Sequence, residues 1–283
     1  MKSMLNKFLK VLISRIVFGL SNFKFGRFFQ NEVVNNVMHL TNEVTHNQCK
    51  LKFVIPNNLN FFRSDTFSTK EPETLDWIDS ITKKSVLWDI GANVGLYSIY
   101  AAKKRDCDVY AFEPSVFNLE LLARNIFIND LVNKITIIPL PLSESLNFNH
   151  LNMSSTEWGG ALSTFGEEYG HDGKKLSKIF RFSTIGISMV DAFKLLKIPK
   201  PNFIKMDVDG IEHLILKGGL EIISGIDGLL IEVNDDFKKQ AQNVSEYLTN
   251  AGLVLKHKKH SNLFDGSELF DRSYNQIWLK KDI

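Results

Sequence analysis

Val86-Leu87-Trp88-Asp89-Ile90-Gly91-Ala92-Asn93-Val94-Gly95 is the stretch that decides the fold. Its first five residues are an apolar, β-prone run, its glycines punctuate a turn, and 96–104 continues at helical spacing, so it reads strand, glycine turn, helix. The helix closes on Lys103, Lys104 and Arg105, the charge sign that a helix C-terminus favours. A second buried strand at 108–112 ends on Glu113-Pro114, and Ser115 is placed to cap a helix in which Val116, Leu119, Leu122 and Ile126 recur at helical spacing. With a third strand at 135–138 the order is β-α-β-α-β, which implies a parallel sheet with right-handed crossovers.

In such sheets ligands bind beyond the carboxyl ends of the strands, here the 89–95 turn, Glu113 and the segment after the third strand. Gly91 and Gly95 let the backbone come close to a ligand where a Cβ would collide. Glu113 lies 24 residues after Asp89 at the tip of the second strand, where a carboxylate can accept both hydroxyls of a ribose. The turn is D-I-G-x-N-x-G, with Asn93 inside it, and not G-x-G-x-x-G; the pyrophosphate arrangement of a nicotinamide or flavin site is missing, as is a P-loop. Asp89, two residues before the first glycine, suits a ligand carrying an ammonium or sulfonium, and S-adenosylmethionine carries both. Two rival readings stay open on these residues: an NAD-type oxidoreductase with the same βαβ start, and a non-catalytic nucleoside-binding module.

Over residues 60–235 the chain resembles the FkbM-type S-adenosylmethionine-dependent methyltransferases. The matching stretches are Trp88-Asp-Ile-Gly-Ala-Asn-Val-Gly-Leu-Tyr-Ser98, Phe112-Glu-Pro114 with Asn118 and Asn125, Leu142-Ser143, Trp158-Gly-Gly160, and Phe203-Ile-Lys-Met-Asp-Val-Asp-Gly-Ile-Glu-His213 running into Leu216-Lys-Gly-Gly219. The upstream Glu71-Pro72-Glu73-Thr74-Leu75-Asp76-Trp77-Ile78 is similar too, whereas Glu144 stands where the family usually has aspartate. The resemblance implies an α/β, Rossmann-like class I methyltransferase sandwich with a seven-stranded, mostly parallel sheet and a final antiparallel strand. Positions 203–206, 229–233, 253–257 and 276–279 can supply its later strands, with a helix at 240–250. It implies S-adenosylmethionine as cofactor, with Ser143 on the adenine side joining Asp89, Gly91, Asn93, Gly95 and Glu113; Arg63 and Glu71 are expected to close that pocket from above. Family habit also implies a small-molecule or glycan acceptor, methylated on a sugar hydroxyl.

Methyl transfer from a sulfonium to a hydroxyl is an in-line displacement on an activated donor, so alignment in a water-poor pocket supplies much of the rate. An aliphatic hydroxyl is still a poor nucleophile at neutral pH, and a base within hydrogen-bond reach helps. The candidates stand at the ends of the fourth and fifth strands: Asp207, Asp209, Glu212, His213, Glu232 and Asn234. Asp207 comes first as catalytic base because it ends a strand aimed at the cofactor crevice; the competing reading is a cap for the Asp209-Gly210 turn. His213 is the second catalytic candidate, set against an exposed or structural histidine. Asp209 and Glu232 are substrate-side candidates, and Trp158 in the long insertion at 150–188 is placed to stack on a sugar ring. Lys174, Lys175, Lys178 and Arg181 of that insertion read as a solvated charge run, with contact to phosphate or an acidic glycan as the alternative. Asp207, Asp209, Asn234 and Asp235 are hard oxygen ligands, but Gly210 occupies the fourth position from Asp207 rather than the sixth of a calcium loop, and no metal is expected.

At roughly 150 residues per domain, a chain of 283 residues holds one large α/β domain with extensions or two modest ones. The expected division is a basic helical extension at 1–59 and a methyltransferase domain at 60–283 with core motifs in 86–235. The 34 Lys and Arg against 32 Asp and Glu leave +2, too weak a field to argue for nucleic acid as main partner. Cys49 and Cys107 form neither a disulfide framework nor a zinc pattern, which points to a reducing cytoplasm. Positions 1–31 hold six basic residues and no acidic one. Their longest uncharged apolar run, 16–23, falls short of the roughly 18 residues a spanning helix needs. Arg15 interrupts what would be a signal-peptide core, and no A-x-A site follows. The stripe is expected to pack on its own domain; the alternative is peripheral contact with the inner face of an anionic membrane.

Overall fold

The computed structural model describes residues 2–260 and 271–281. Two helices come first, α1 (Lys2–Leu20) and α2 (Lys24–Val37), then an antiparallel hairpin of β1 (Thr41–His46) and β2 (Cys49–Val54). Short helices α3 (Asn58–Asp65), α4 (Phe67–Lys70) and α5 (Pro72–Ser80) lead into β3 (Val86–Ile90), α6 (Leu96–Arg105), β4 (Asp108–Phe112), α7 (Val116–Ile128) and β5 (Ile135–Ile138). An excursion through β6 (Asn147–Met153), β7 (Ser163–Phe165) and β8 (Phe180–Gly186) forms its own three-stranded antiparallel sheet. The chain returns through α8 (Met189–Leu196), β9 (Phe203–Met206), α9 (Glu212–Lys217), α10 (Leu220–Ile223), β10 (Gly228–Asn234), α11 (Lys238–Asn250), β11 (Leu253–Lys259) and β12 (Ser273–Lys280).

Seven strands form the main sheet in the order β11-β12-β10-β9-β3-β4-β5. Its pairings are parallel from β10 through β9, β3 and β4 to β5, whereas β12 is inserted antiparallel between β10 and β11. This is the class I methyltransferase sheet, and each strand lies where its apolar run is. Helices cover both faces, which is why β3 and β9 read as apolar runs, each interrupted by one charge, Asp89 and Lys205, rather than as alternating ones. One face buries Trp88, Ile90, Phe112, Ile204 and Met206 with Met189 and Ile215; the other buries Leu87, Val109, Ala111 and Leu230 with Leu75, Ile99 and Leu122.

Three expectations need correcting. The Ser115 hydroxyl does not cap α7; it is buried without a partner, and Ser115 instead donates its N–H to Glu113. A division at residue 59 would cut through packed structure. Leu51 and Phe53 of β2 lie in the core with Ile99 and Leu122, and the side-chain oxygens of Asn125 and Asn129 accept from Val54 N–H at 2.8 Å and Lys52 N–H at 3.1 Å. The N-terminal stripe, finally, does not pack on the domain: residues 5–18 of α1 are all exposed. Among the described residues no helix is long and apolar enough to cross a membrane.

Candidate active site

Gly91 follows β3 at φ +84°, and a Cβ there would lie 1.9 Å from the carbonyl oxygen of Asp207. Only glycine lets the turn after β3 touch the end of β9, where Asp207 N–H donates to the Ile90 carbonyl at 3.0 Å. Beside this contact, at the carboxyl ends of the central strands, opens a cavity of about 460 Å³. Gly91, Asn93 and Glu113 line it from the glycine turn and β4, Asp207, Asp209 and Glu232 from β9 and β10, and Arg63, Lys70 and Glu71 from the segment before the sheet. Apolar surface comes from Phe62, Phe67, Ile90, Phe112 and the run Leu140, Pro141 and Leu142 after β5.

Glu113 is buried, and both its oxygens are engaged: one accepts from Asn93 N–H at 2.8 Å, the other from Ser115 N–H at 2.8 Å and the Asn118 amide at 3.4 Å. Burial pushes its carboxyl up to about 7 against the pull of those donors. A carboxylate offers about four acceptor positions, so room remains for a hydroxyl.

Asp89 does not line the cavity. In the parallel register it stands beside Lys205, and the two buried charges meet at 3.4 Å while the other Asp89 oxygen accepts from the Ser98 hydroxyl. Its charge is therefore met by a lysine behind the cavity wall. Lys205 is a site residue that the carboxyl-centred reading of the motif misses; its signal is a lysine inside the four-residue apolar strand Phe-Ile-Lys-Met, which must find a partner. Its ammonium also lies 3.7 Å from Asp207 and 5.3 Å from the Tyr97 ring centroid. Burial would lower the Lys205 pKa, but Asp89, Asp207 and Glu71 together raise it. Glu71 accepts from Tyr97 Oη at 2.9 Å and pairs with Lys70; burial pushes it up, yet Lys70, Lys205 and Tyr97 hold it down to about 2.

Asp207, Asp209 and Glu232 converge on one wall. Asp207 does not cap its own turn, because Glu212 fills that task, accepting from Val208 N–H at 3.2 Å and Gly210 N–H at 3.1 Å and from the Gln240 amide. Asp209 sits at φ +63° and accepts from Ser163 N–H at 3.0 Å; burial and the Asp207 charge push it up to about 6. Burial, then Asp207 and Glu71, raise Glu232 well above the usual carboxylate range. Among the described residues no group of three His, Cys, Asp or Glu is arranged to hold a metal ion.

Four further candidates fall outside the lining. His213 lies on α9, buried edge-on to Phe237 with both ring nitrogens unpartnered, and burial lowers it to about 4. Ser143 is buried with its hydroxyl on the Ser145 carbonyl at 2.7 Å, leaving its neighbours 140–142 to line the cavity. Gly95 gives α6 room against α7, since a Cβ there would meet Leu122 Cδ1 at 2.5 Å. Trp158 turns its ring into a separate hollow with Asn57 and Phe117. Its backbone matters more: the Trp158 carbonyl accepts from Asn57 and Asn60, the Gly159 carbonyl from Arg63 at 2.6 and 3.0 Å, and the Gly160 carbonyl from Asn93 and Asn118. Trp158-Gly-Gly160 thus straps the glycine turn to α3 over the cavity.

The family model described as the methyltransferase FkbM domain matches residues 89–255. The chain belongs to the FkbM methyltransferase family. Among curated proteins it is 26% identical over 160 residues to the hexuronic acid methyltransferase AglP of Haloferax volcanii, covering 56% of this chain and 59% of that protein. It is also 26% identical over 140 residues to a tRNA (guanine(37)-N(1))-methyltransferase of Dictyostelium discoideum, covering 46% of this chain and 29% of that one. The chain thus spans less than two thirds of the length of either relative. M. jannaschii TYW2, solved with AdoMet, is similar at 14% identity and a TM-score of 0.44, over 85% of this chain and 86% of that one. The matched segment is a methyltransferase domain of that family, and the buried Glu113 carboxyl facing an apolar cavity fits the nucleoside of S-adenosylmethionine as its cofactor.

Proposed function

We propose that this FkbM protein transfers the methyl group of S-adenosylmethionine to a sugar hydroxyl of a glycan or glycosylated metabolite in the cytoplasm, with Asp207 taking the hydroxyl proton. The observation that carries the reading is the convergence of the Asp207, Asp209 and Glu232 carboxyls on the cavity that also presents Glu113. Asp209 and Glu113, pushed up by burial to about 6 and about 7, both accept from and donate to hydroxyls, which suits a polyol. The same wall would repel a phosphodiester, which favours a sugar over the nucleic acid substrate named for the tRNA relative. The relative named for a hexuronic acid supports a sugar as the class of acceptor, and the carboxyl wall favours an uncharged sugar unit within it. Free, buried Cys49 and Cys107 suit a reducing compartment.

The cofactor, when bound, supplies a methyl group already activated on a sulfonium. Glu113 would accept from its ribose, Leu140 and Leu142 would lie against adenine, and Asn93 and the ionised Glu71 would hold the amino-acid end. Asp207 keeps its carboxyl one-third exposed and steadied by Lys205 at 3.7 Å. As the new C–O bond forms and the C–S bond breaks, the acceptor hydroxyl becomes acidic, and its proton passes to Asp207. Trp158, whose hollow shares Leu59 with the cavity, would stack on a further sugar unit.

The test is transfer of labelled methyl to a glycan pool by wild type and Asp207→Asn. Asp207→Asn should keep its affinity for S-adenosylhomocysteine and lose about 10²–10⁴-fold in turnover. Full turnover in that variant removes Asp207 as base. Label recovered in RNA, or released as methanol by mild alkali as from an ester, overturns the sugar hydroxyl.

A further inference from the structure

The N-terminal helices carry an unpartnered surface. Leu5, Phe8, Leu12, Ile16 and Phe18 of α1 are 42–75% exposed, and Phe25, Phe28 and Phe29 of α2 are 50–76% exposed. Contiguous apolar surface of this kind marks an interaction site. At about 100° per residue, Leu5, Phe8, Leu12 and Ile16 form a stripe on one side of α1, and the opposite side carries Asn6, Lys7, Lys10 and Ser14 together with exposed Val17 and Phe18. Arg15 lies on the apolar side, where its long stem lets the guanidinium reach back to water. The two helices are locked at their elbow, where Arg27 donates to the Ser21 carbonyl at 3.1 Å and Gln30 to the Val17 carbonyl. The first acidic residue is Glu32, after six cations.

Charge decides the occupant. A second copy docked through the apolar stripe would add a second set of six cations with no acid before Glu32 to offset them, whereas an anionic bilayer offers an apolar interior and counter-charge at once. We propose that α1 and its elbow into α2 dock on an anionic lipid surface, with α1 lying in the plane of the interface. This surface does not depend on the choice of acceptor.

The test is sedimentation of the full chain with vesicles of phosphatidylcholine alone and with phosphatidylglycerol added. Wild type should bind only the mixed vesicles and release them as salt rises. Replacing Lys7, Lys10 and Arg15 by Gln should weaken binding about a hundredfold, at about fivefold per charge. Phe8→Ser with Leu12→Ser should abolish it with every charge in place. Unchanged affinity of each variant for S-adenosylhomocysteine shows that the fold is intact. Absence of binding to the mixed vesicles overturns the proposal, as does undiminished binding by the Gln variant. A wild-type dimer in light scattering that ignores vesicles and dissociates on Phe8→Ser assigns the face to a second copy instead.

Discussion

Lys205→Met is the most informative single change to the interior of this protein. Lys205 is 3% exposed, its ammonium faces Asp89 at 3.4 Å and Asp207 at 3.7 Å, and Asp89 is itself 1% exposed. Methionine keeps the volume and removes the charge, which leaves the Asp89 carboxylate buried with only the Ser98 hydroxyl. Breaking one side of a buried pair costs about 3–5 kcal/mol. At about 2–4 °C per kcal/mol for a domain of this size, the melting temperature should fall by roughly 6–20 °C. Asp89→Asn in the same background removes the stranded charge and should recover about 1–3 kcal/mol as a coupling between the two sites. Thermal melts of wild type, Lys205→Met, Asp89→Asn and the double variant measure it. A Lys205→Met protein melting within about 2 °C of wild type, too small a shift for the loss of a buried pair, would refute the reasoning. So would a double variant whose losses simply add.

Other consequences are as direct. The Glu113 carboxyl, pushed up to about 7 by burial, already accepts from three donors and keeps a free acceptor position for a ribose only when ionised, so affinity for S-adenosylhomocysteine should fall as pH drops below about 7 and be lost in Glu113→Ala; titration calorimetry across pH reads both. Because its folded pKa lies above the unfolded 4.5, the ligand-free protein binds more protons folded than unfolded in that window. Its stability should therefore decline as pH rises from about 4.5 to 7 and then level, which Glu113→Gln should flatten in denaturant titrations. Gly91→Ala must move the Asp207 carbonyl and hold alanine at φ +84°, so it should cost more than about 3 kcal/mol and appear as poor soluble yield and a lowered melting temperature. Trp158→Ala should leave cofactor affinity within about twofold while raising the acceptor KM, since a stacked aromatic contributes about 1 kcal/mol. Arg63→Ala, which frees the Gly159 carbonyl, should weaken cofactor binding; equal affinities for these two variants would remove the strap.

What sequence could show was whatever short-range pattern encodes. The glycine turn, the strands of the main sheet and the carboxyls at their ends are local features, and Glu113, Asp207, Asp209 and Glu232 all line the cavity. The pairing of Asp89 with Lys205 depends on the register of β3 with β9, set by packing across more than a hundred residues, so the lysine beside Asp89 is not legible from the glycine turn alone. His213 and Trp158 stand outside the main cavity for another reason: chain position fixes the backbone, while neighbouring layers decide which way a ring turns, His213 onto Phe237 and Trp158 into the adjoining hollow. In Thr41–Val54 only β2 alternates apolar with charged residues, with Cys49, Leu51 and Phe53 buried between Lys50 and Lys52, and the donation of its Lys52 and Val54 amides to Asn129 and Asn125 joins residues more than seventy positions apart, which no local pattern shows. The amphipathic stripe of α1 was visible, but a stripe does not say whether its own domain has a groove to receive it.

The charges of the cavity explain why a sulfonium donor belongs there and a dinucleotide does not. Glu71, Glu113, Asp207, Asp209 and Glu232 surround it, whereas Arg63 is committed to the Gly159 carbonyl, Lys70 to Glu71 and Lys205 to Asp89 and Asp207. The protein bears this excess of carboxyls by holding some of them near neutrality, with Glu113 up to about 7 and Asp209 up to about 6. A ligand bringing an ammonium and a sulfonium stabilises the ionised forms and relieves that tension. The pyrophosphate of NAD would add negative charge to the same wall and force further protonation, with no glycine-rich phosphate loop or free lysine among these lining residues to offset it. The methyl transfer itself removes the positive charge from sulfur, so the product leaves a cavity whose carboxyls no longer hold that end of it.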